Sequence, residues 1–209
     1  MAPEALLAFG GDTGGEAHRG GLPFAAMVLW IVLGVIAVLL LYVIVAFNLL
    51  VRDRNRVDSS WSGIDVQLRL RYDLIPNLVE TVRAYAAHER QTFEAVTRAR
   101  AQAQQAQGVR DQAQAENQVT AGLTRLMAVA EAYPQLKANQ NFLALQEELT
   151  GVESKIAFAR QFYNDQVQAF NTRVQSFPSN VVAGLFRFRP REFFEIEEPA
   201  RGPVAVGEI

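Results

Sequence analysis

The sequence predicts an all-α protein in which an N-terminal transmembrane helix is followed by an antiparallel four-helix up-and-down bundle. Three observations carry this reading. No charged side chain occurs from Gly20 to Val51, apolar residues beyond that run recur at spacings of three and four, and no sustained period-two alternation appears before residue 186. Whole-chain totals hide the organisation, because 209 residues with 20 basic and 22 acidic side chains and 50% hydrophobic content would suit a soluble domain. Divided at Val51, the chain has its net charge of -2 in the N-terminal part and a neutral remainder of 19 bases and 19 acids. Such a remainder creates no field that steers toward nucleic acid.

Residues 1–23 read as a flexible tail with six glycines and with Arg19 as its one strong base. The doublets Gly10-Gly11 and Gly14-Gly15 follow no predicted strand and open no helix, so they lack the context of a phosphate-binding loop. Residues 24–47 form the apolar span, with Trp30 and Tyr42 toward its ends. About 20 helical residues cross a hydrocarbon core of roughly 30 Å. A cleaved signal peptide is the competing reading; the missing basic cluster and a run about twice the usual length of a signal core speak against it. Arg52, Arg54, Arg56, Arg69 and Arg71 come after the span and only Arg19 precedes it, a small margin that favours the cytoplasmic over the periplasmic side for the C-terminal domain.

The bundle is expected over residues 48–180. Helix A carries Val57, Trp61, Ile64 and Leu68 on one face. Leu74-Ile75-Pro76 is expected to interrupt it, with Asp73 capping a new helix, because proline suits a first turn and not an interior. Helix B then presents Leu78, Val79, Val82, Tyr85, Phe93 and Val96 and fades into the Ala/Gln-rich run 99–107, closed by Gly108. Helix C, over about residues 111–132, carries Val119, Leu123, Leu126 and Ala130 before Pro134. The tip between B and C is expected to be mobile and poor in anchors. Helix D has the clearest stripe: Phe142, Leu145, Leu149, Val152, Ile156, Ala159, Tyr163, Val167, Phe170, Val174 and Phe177, with Asn139 or Asn141 to cap it and Pro178 to stop it. Four passes return the chain to its starting end, so Phe177 and the segment after it should lie near the bilayer, although helix D is longer than helix A.

Phe177-Pro178-Ser179-Asn180 reads as a turn opening a new helix. In residues 181–195, Phe186, Arg187, Phe188, Arg189 and Arg191 alternate aromatics with bases, followed by Phe193 and Phe194. Two readings stand: the segment contacts a lipid surface or partner through arginine–phosphate pairs and phenylalanine insertion, or its phenylalanines fold back over the open end of the bundle. Residues 196–209 read as a disordered tail. A second group of candidates, Arg71, Tyr72, Asp73 and Asn77 with Arg160, Asn164, Asp165 and Asn171, interrupts the apolar stripes as a polar structural cluster that caps turns and sets helix register.

Conventional catalysis finds little footing. There is no cysteine, and the two histidines, His18 and His88, are far apart in sequence. His88-Glu89 lacks a second histidine four residues away, and Ser59 and Ser60 have no base nearby in sequence and are expected on the helix surface. The expectation is a non-enzymatic protein with no catalytic residues, cofactor or metal, whose partners are the lipid bilayer and other membrane proteins or a second copy of itself, and not nucleic acid. A small-ligand site would require a deep polar pocket around Arg71 and Arg160.

The run Trp61-Ser-Gly-Ile-Asp-Val-Gln-Leu68, followed by Arg71-Tyr-Asp-Leu-Ile-Pro-Asn-Leu-Val-Glu-Thr-Val-Arg-Ala-Tyr-Ala-Ala-His-Glu89, closely resembles the LemA family. The resemblance continues through Ala132-Tyr-Pro-Gln-Leu-Lys-Ala-Asn139, Asn141-Phe-Leu-Ala-Leu-Gln-Glu-Glu-Leu149, Ile156-Ala-Phe-Ala-Arg-Gln-Phe-Tyr-Asn164, Phe177-Pro-Ser-Asn180 and Arg191-Glu-Phe-Phe-Glu195, covering about residues 25–195. The N-terminal tail is the departure. The resemblance implies a bacterial inner-membrane protein with one N-terminal transmembrane helix, a soluble helical bundle and a scaffolding or accessory role, without established catalytic residues to carry over.

Overall fold

The computed structural model describes residues 24–195; the expected tails, 1–23 and 196–209, lie outside the described residues. Six helices succeed one another: α1 (Phe24–Arg83), α2 (Arg90–Gln105), α3 (Val109–Glu131), α4 (Pro134–Lys137), α5 (Gln140–Gln175) and α6 (Ser179–Leu185). Among the described residues there is no strand. The chain divides into two compact units, one ending at Val43 and one starting at Ile44.

In the first unit α1 presents large apolar side chains on every side, Trp30, Ile31, Leu39, Leu40 and Leu41 among them, and all are exposed. A helix that is apolar all round and covered by no protein is matched to hydrocarbon, and this one is long and apolar enough to cross a membrane.

In the second unit the remainder of α1 becomes one-sided, burying Leu50, Val57, Ile64, Leu68, Ile75, Leu78 and Val82. It lies antiparallel to α5: Asp53 pairs with Arg173 at 2.8 Å, Trp61 stacks on Tyr163 at 5.4 Å, and Arg71 reaches Glu153 at 3.0 Å. As one sequence number rises the other falls, which fixes the relative direction of the two helices.

The expected break at residues 74–76 does not occur. Pro76 lies inside α1, and Asp73 is an exposed residue of that helix and not a cap. An interior proline deprives the carbonyl four residues earlier of its amide. Here that carbonyl belongs to Tyr72, and Arg100 of α2 donates its Nε to it at 2.7 Å. A side chain from another helix thus replaces the missing bond, and α1 continues to Arg83. The chain reverses instead at residues 84–89, around the buried Ala86, where Ala86 N–H donates to Val82 and Glu89 N–H to Ala86. Leu78, Val79 and Val82 therefore belong to α1, while Phe93 and Val96 belong to α2. With the extra turns assigned to α1, the expected mismatch in length against the last long helix is removed.

The α2–α3 pair is built on small residues. Ala99, Ala103, Ala113 and Ala115 are buried, so the Ala/Gln-rich tip expected to be poor in anchors uses the alanines themselves. At Gly122 an added Cβ would lie 3.1 Å from the Val96 backbone, a measure of how closely the two helices approach. Gly108 joins them at φ +85, the left-handed region that glycine occupies without a Cβ penalty. Pro134 starts the short α4, which buries Leu136. Asn139 caps α5, its Oδ1 accepting from the amides of Asn141 at 2.9 Å and Phe142 at 3.1 Å.

The α5 stripe buries Phe142, Leu149, Val152, Ile156, Tyr163, Val167, Phe170 and Val174, leaves Leu145 and Ala159 half-buried, and stops short of Phe177, which is exposed. The helix ends at Gln175, so Phe177 falls outside its register. The Ser179 hydroxyl donates to the Arg173 and Ser176 carbonyls, tying α6 to the end of α5. At the far end of α6, Phe188 N–H donates to Ala183 O and Arg187 N–H to Gly184 O, the paired bonds of a Schellman turn. Arg187 takes the left-handed position at φ 58, where glycine is the usual occupant.

Candidate functional site

The expected polar cluster resolves into two separate arrangements. The first is centred on Arg71 and Tyr72, which α1 directs inward because positions 71, 72 and 75 continue its buried face. Arg71 is 1% exposed and Glu116 of α3 is 0% exposed; their charges meet directly. The Arg71 guanidinium also donates Nη1 to both Glu153 oxygens, at 3.0 and 3.2 Å, and to the Thr120 hydroxyl at 3.5 Å. The Tyr72 hydroxyl donates to Glu116 Oε1 and accepts from Gln112 Nε2 at 2.9 Å. Gln112 Nε2 also donates to Glu116 at 2.7 Å.

Two adjacent residues of α1 thus hold α2 through Arg100, α3 through Glu116 and Gln112, and α5 through Glu153. Burial raises the Tyr72 pKa, with Asp65 adding to the rise and Arg71 and Gln112 opposing it, so the phenol stays a donor. A buried ion pair of this kind gives little net stability over an apolar substitute but specifies alignment, since either charge alone would be stranded. Asp73 and Asn77 point away from the network and are exposed; the Asn77 carbonyl accepts from the Thr81 hydroxyl at 2.7 Å. Glu116, Glu153, Gln112 and Arg100 escaped the sequence reading. The available signal was Glu116, which falls three residues after buried Ala113 and three before Val119 on a face otherwise apolar.

The second arrangement fastens the segment after α6. Asn171 forms a reciprocal pair with the Arg191 backbone, donating at 2.9 Å and accepting at 2.7 Å. Asn164 does the same for Phe194, at 3.2 and 2.9 Å. The Tyr163 hydroxyl donates to the Glu192 carbonyl at 2.9 Å. Three side chains of α5 therefore supply the bonds that a neighbouring strand would give an extended backbone. Burial, with the nearby Glu192 and Asp58 charges, outweighs Arg191 and pushes the Tyr163 pKa up to about 12. Phe194 is fully buried, edge-on to Trp61 at 5.2 Å, and Arg191 pairs with Asp58 at 2.8 Å. Asp165 on α5 accepts from Gln161 at 2.8 Å on the surface, and Arg160 is half-buried on the same helix.

The aromatic–basic candidates divide as well. Phe186 and Phe188 stack on Phe47 at 4.7 and 5.8 Å, Phe188 also meets Phe170, and Arg54 lies over the Phe188 ring at 5.6 Å. Arg187 and Arg189 are exposed and form no ion pair among the described residues. His88 is exposed in the turn after α1, as is Ser59 on α1, whereas Ser60 is buried and donates to the Val57 carbonyl at 2.8 Å, a correction to its expected surface position. Among the described residues no three His, Asp or Glu side chains gather as a metal set.

Two of the surface depressions border the elements just described. A shallow groove of about 530 Å³ runs between α1 and α5, lined by Arg56, Ser59, Gly63, Phe158, Phe162 and Gln166 among others. Phe158 is 75% and Phe162 49% exposed, and Val66 and Leu70 of α1 are exposed too. A depression of about 470 Å³ beside Tyr72 is polar, bordered by Asp65, Arg69, Asp73 and Gln112, but Arg71 itself is sealed away from solvent.

Comparison with known proteins adds a family context. A model described as the LemA family matches residues 60–207. Magnetosome protein MamQ 2 of Paramagnetospirillum magneticum is 33% identical over 78 residues, covering 37% of this chain and 28% of that protein. Protein LemA of Metamycoplasma hominis is 23% identical over 163 residues, 78% of this chain and 74% of its own. Magnetosome protein MamQ of Magnetospirillum gryphiswaldense is 25% identical over 87 residues, covering 42% of this chain and 32% of that protein. The match thus spans about a third or less of either magnetosome protein's length.

Proposed function

The chain belongs to the LemA family, and from that premise we propose that it is a non-enzymatic, membrane-anchored scaffold or accessory protein of a membrane complex. In this reading residues 24–47 form a single span of the bacterial inner membrane, and the arginines from Arg52 onward hold the helical domain on the cytoplasmic side. The arrangement that best fits the contacts is an antiparallel four-helix bundle of α1, α2, α3 and α5, with residues 71 and 72 setting its register.

The observation that carries the reading is the groove between α1 and α5. Arg71, Tyr72 and Glu116 are buried and paired with one another inside the fold, while Phe158 and Phe162 stand outside it. Two aromatic side chains one turn apart, above the small Ser59 and Gly63, form a ridge beside a shallow valley that suits a helix of another membrane protein. Arg56 and Gln166 at its rim add polar contacts.

A photoreactive phenylalanine analogue at position 158 of the full chain, activated in native membranes, tests this. The expected result is a small set of discrete membrane-protein adducts, identified by mass spectrometry, that a probe at the exposed Glu147 does not give. The same abundant proteins recovered from both positions would count against a scaffold.

A further inference from the structure

The outward side of α6 bears a second apolar surface, distinct from the groove. Val181 and Leu185, one turn apart, are 64% and 70% exposed, as is Phe177 at 81% in the turn just before the helix, whereas Val182 and Ala183 on the other side of α6 are buried. Looseness does not explain the exposure. The Ser179 hydroxyl ties the start of α6, the Schellman turn closes its end, and Phe186 stacks on Phe47. The helix is held so that Val181 and Leu185 point away from the protein.

Its surroundings are basic. Arg187 and Arg189 come directly after it, and Arg54 is drawn into the same corner over Phe188. Among the described residues, Asp53 is paired with Arg173 and Arg56, and Asp58 with Arg191. Arg52, Arg187 and Arg189 form no ion pair among the described residues. Arg187 also occupies a left-handed position that glycine would take with less strain, so a charged side chain stands where the backbone favours none.

We propose that Phe177, Val181 and Leu185 enter the apolar boundary of the bilayer while Arg187 and Arg189 pair with anionic phospholipid headgroups, making α6 a membrane-surface foot of the second unit. The occupant is fixed by two observations. Phe47, which holds Phe186, is the last residue of the apolar run 24–47, so the foot is attached where that run ends. Unpaired arginines beside an exposed apolar stripe complement anionic headgroups above hydrocarbon. The proposal rests on the membrane-anchor part of the reading above and is independent of the scaffold part.

The chain contains no cysteine, so each introduced cysteine labels uniquely. Full-length V181C, L33C and E147C, each carrying an environment-sensitive fluorophore, are reconstituted in vesicles of phosphatidylcholine with phosphatidylglycerol. Iodide reports access from water, and lipids with a spin label just below the headgroup report contact with the bilayer. The L33C label should be shielded from iodide and the E147C label open. The V181C label should be shielded and quenched by the spin-labelled lipid, and R187G with R189Q should lower its docked-to-undocked ratio by about fivefold per arginine removed. Shielding at L33C with an open V181C overturns the foot and leaves the anchor. Open labels at both positions overturn both. A V181C label shielded from iodide but not quenched by the lipid overturns the foot by showing that protein covers α6. A V181C label shielded and quenched but unmoved by R187G/R189Q overturns the headgroup pairing.

Discussion

Around Arg71 an arginine is turned inward and paired, whereas around α6 Arg187 and Arg189 are turned out beside exposed apolar side chains. Arg71, Tyr72 and Glu116 are buried and bonded to one another between α1 and α3, and half-exposed Glu153 of α5 adds a second carboxylate to Arg71. Phe177, Val181 and Leu185 are largely exposed, and the exposed Arg187 and Arg189 form no ion pair among the described residues. The difference separates residues that determine how the fold is assembled from residues that remain available to something else. Substitutions should therefore affect stability in one region and contact in the other.

The largest loss of stability is expected from Glu116→Ala. It leaves Arg71 buried with only half-exposed Glu153 to balance it, and breaking a buried pair from one side costs about 3–5 kcal/mol. Chemical unfolding of the full chain in detergent micelles measures this. Arg71→Met combined with Glu116→Met should recover much of the loss, because the apolar pair strands no charge.

Arg100→Met is expected to cost about 1–3 kcal/mol by stranding the Tyr72 carbonyl. In a Pro76→Ala background the cost should shrink, since the introduced alanine can supply the missing amide. A double-mutant cycle with no coupling between positions 76 and 100 would contradict the account of how α1 tolerates its proline.

Much of the fold was legible from the sequence. The stripe along α5, its Asn139 cap, the Gly108 turn and the stops at Pro134 and Pro178 are local signals, each expressed within a few residues. The uninterrupted passage of α1 through Pro76 was not legible, because the group that permits it lies on another helix. Glu116 and Glu153 were missed for the same reason: a carboxylate on a helix reads as surface until the arginine it faces is known. Phe177 was counted into the α5 repeat, although that helix and its register end at Gln175 and Phe177 lies in the turn before α6. Of the C-terminal aromatic and basic residues, Phe188 and Phe194 pack inward, as the fold-back reading expects, while Arg187 and Arg189 face out.

The fastening of the C-terminal segment gives a pH signature. Tyr163 has a pKa of about 12 in the folded chain against 10.0 ordinarily, so the fold holds this proton more tightly than the unfolded chain does. Its contribution is complete below pH 10 and is lost as pH rises toward 12, amounting to on the order of 2 kcal/mol. Tyr72, also raised, acts in the same direction. Tyr163→Phe should be less stable at pH 8 by about 1 kcal/mol, for the bond lost to the Glu192 carbonyl, and should decline less between pH 10 and 12. Unfolding midpoints across that range decide it.

The smallest stability effects belong to the outward-facing residues. Val181→Ser and Leu185→Ser should stay within about 0.5 kcal/mol of the parent in the same unfolding experiment, as expected for largely exposed side chains. A loss of several kcal/mol would mean that α6 is a structural element and not a foot.

The claim that this chain works by contact is tested most directly at the groove. With the photoreactive probe kept at position 158, Phe162→Ser should reduce the yield of the discrete adducts about tenfold, the equivalent of about 1.4 kcal/mol of binding, while the melting midpoint stays at the parent value. An unchanged adduct yield, or a fall that only tracks a lowered midpoint, would contradict the account.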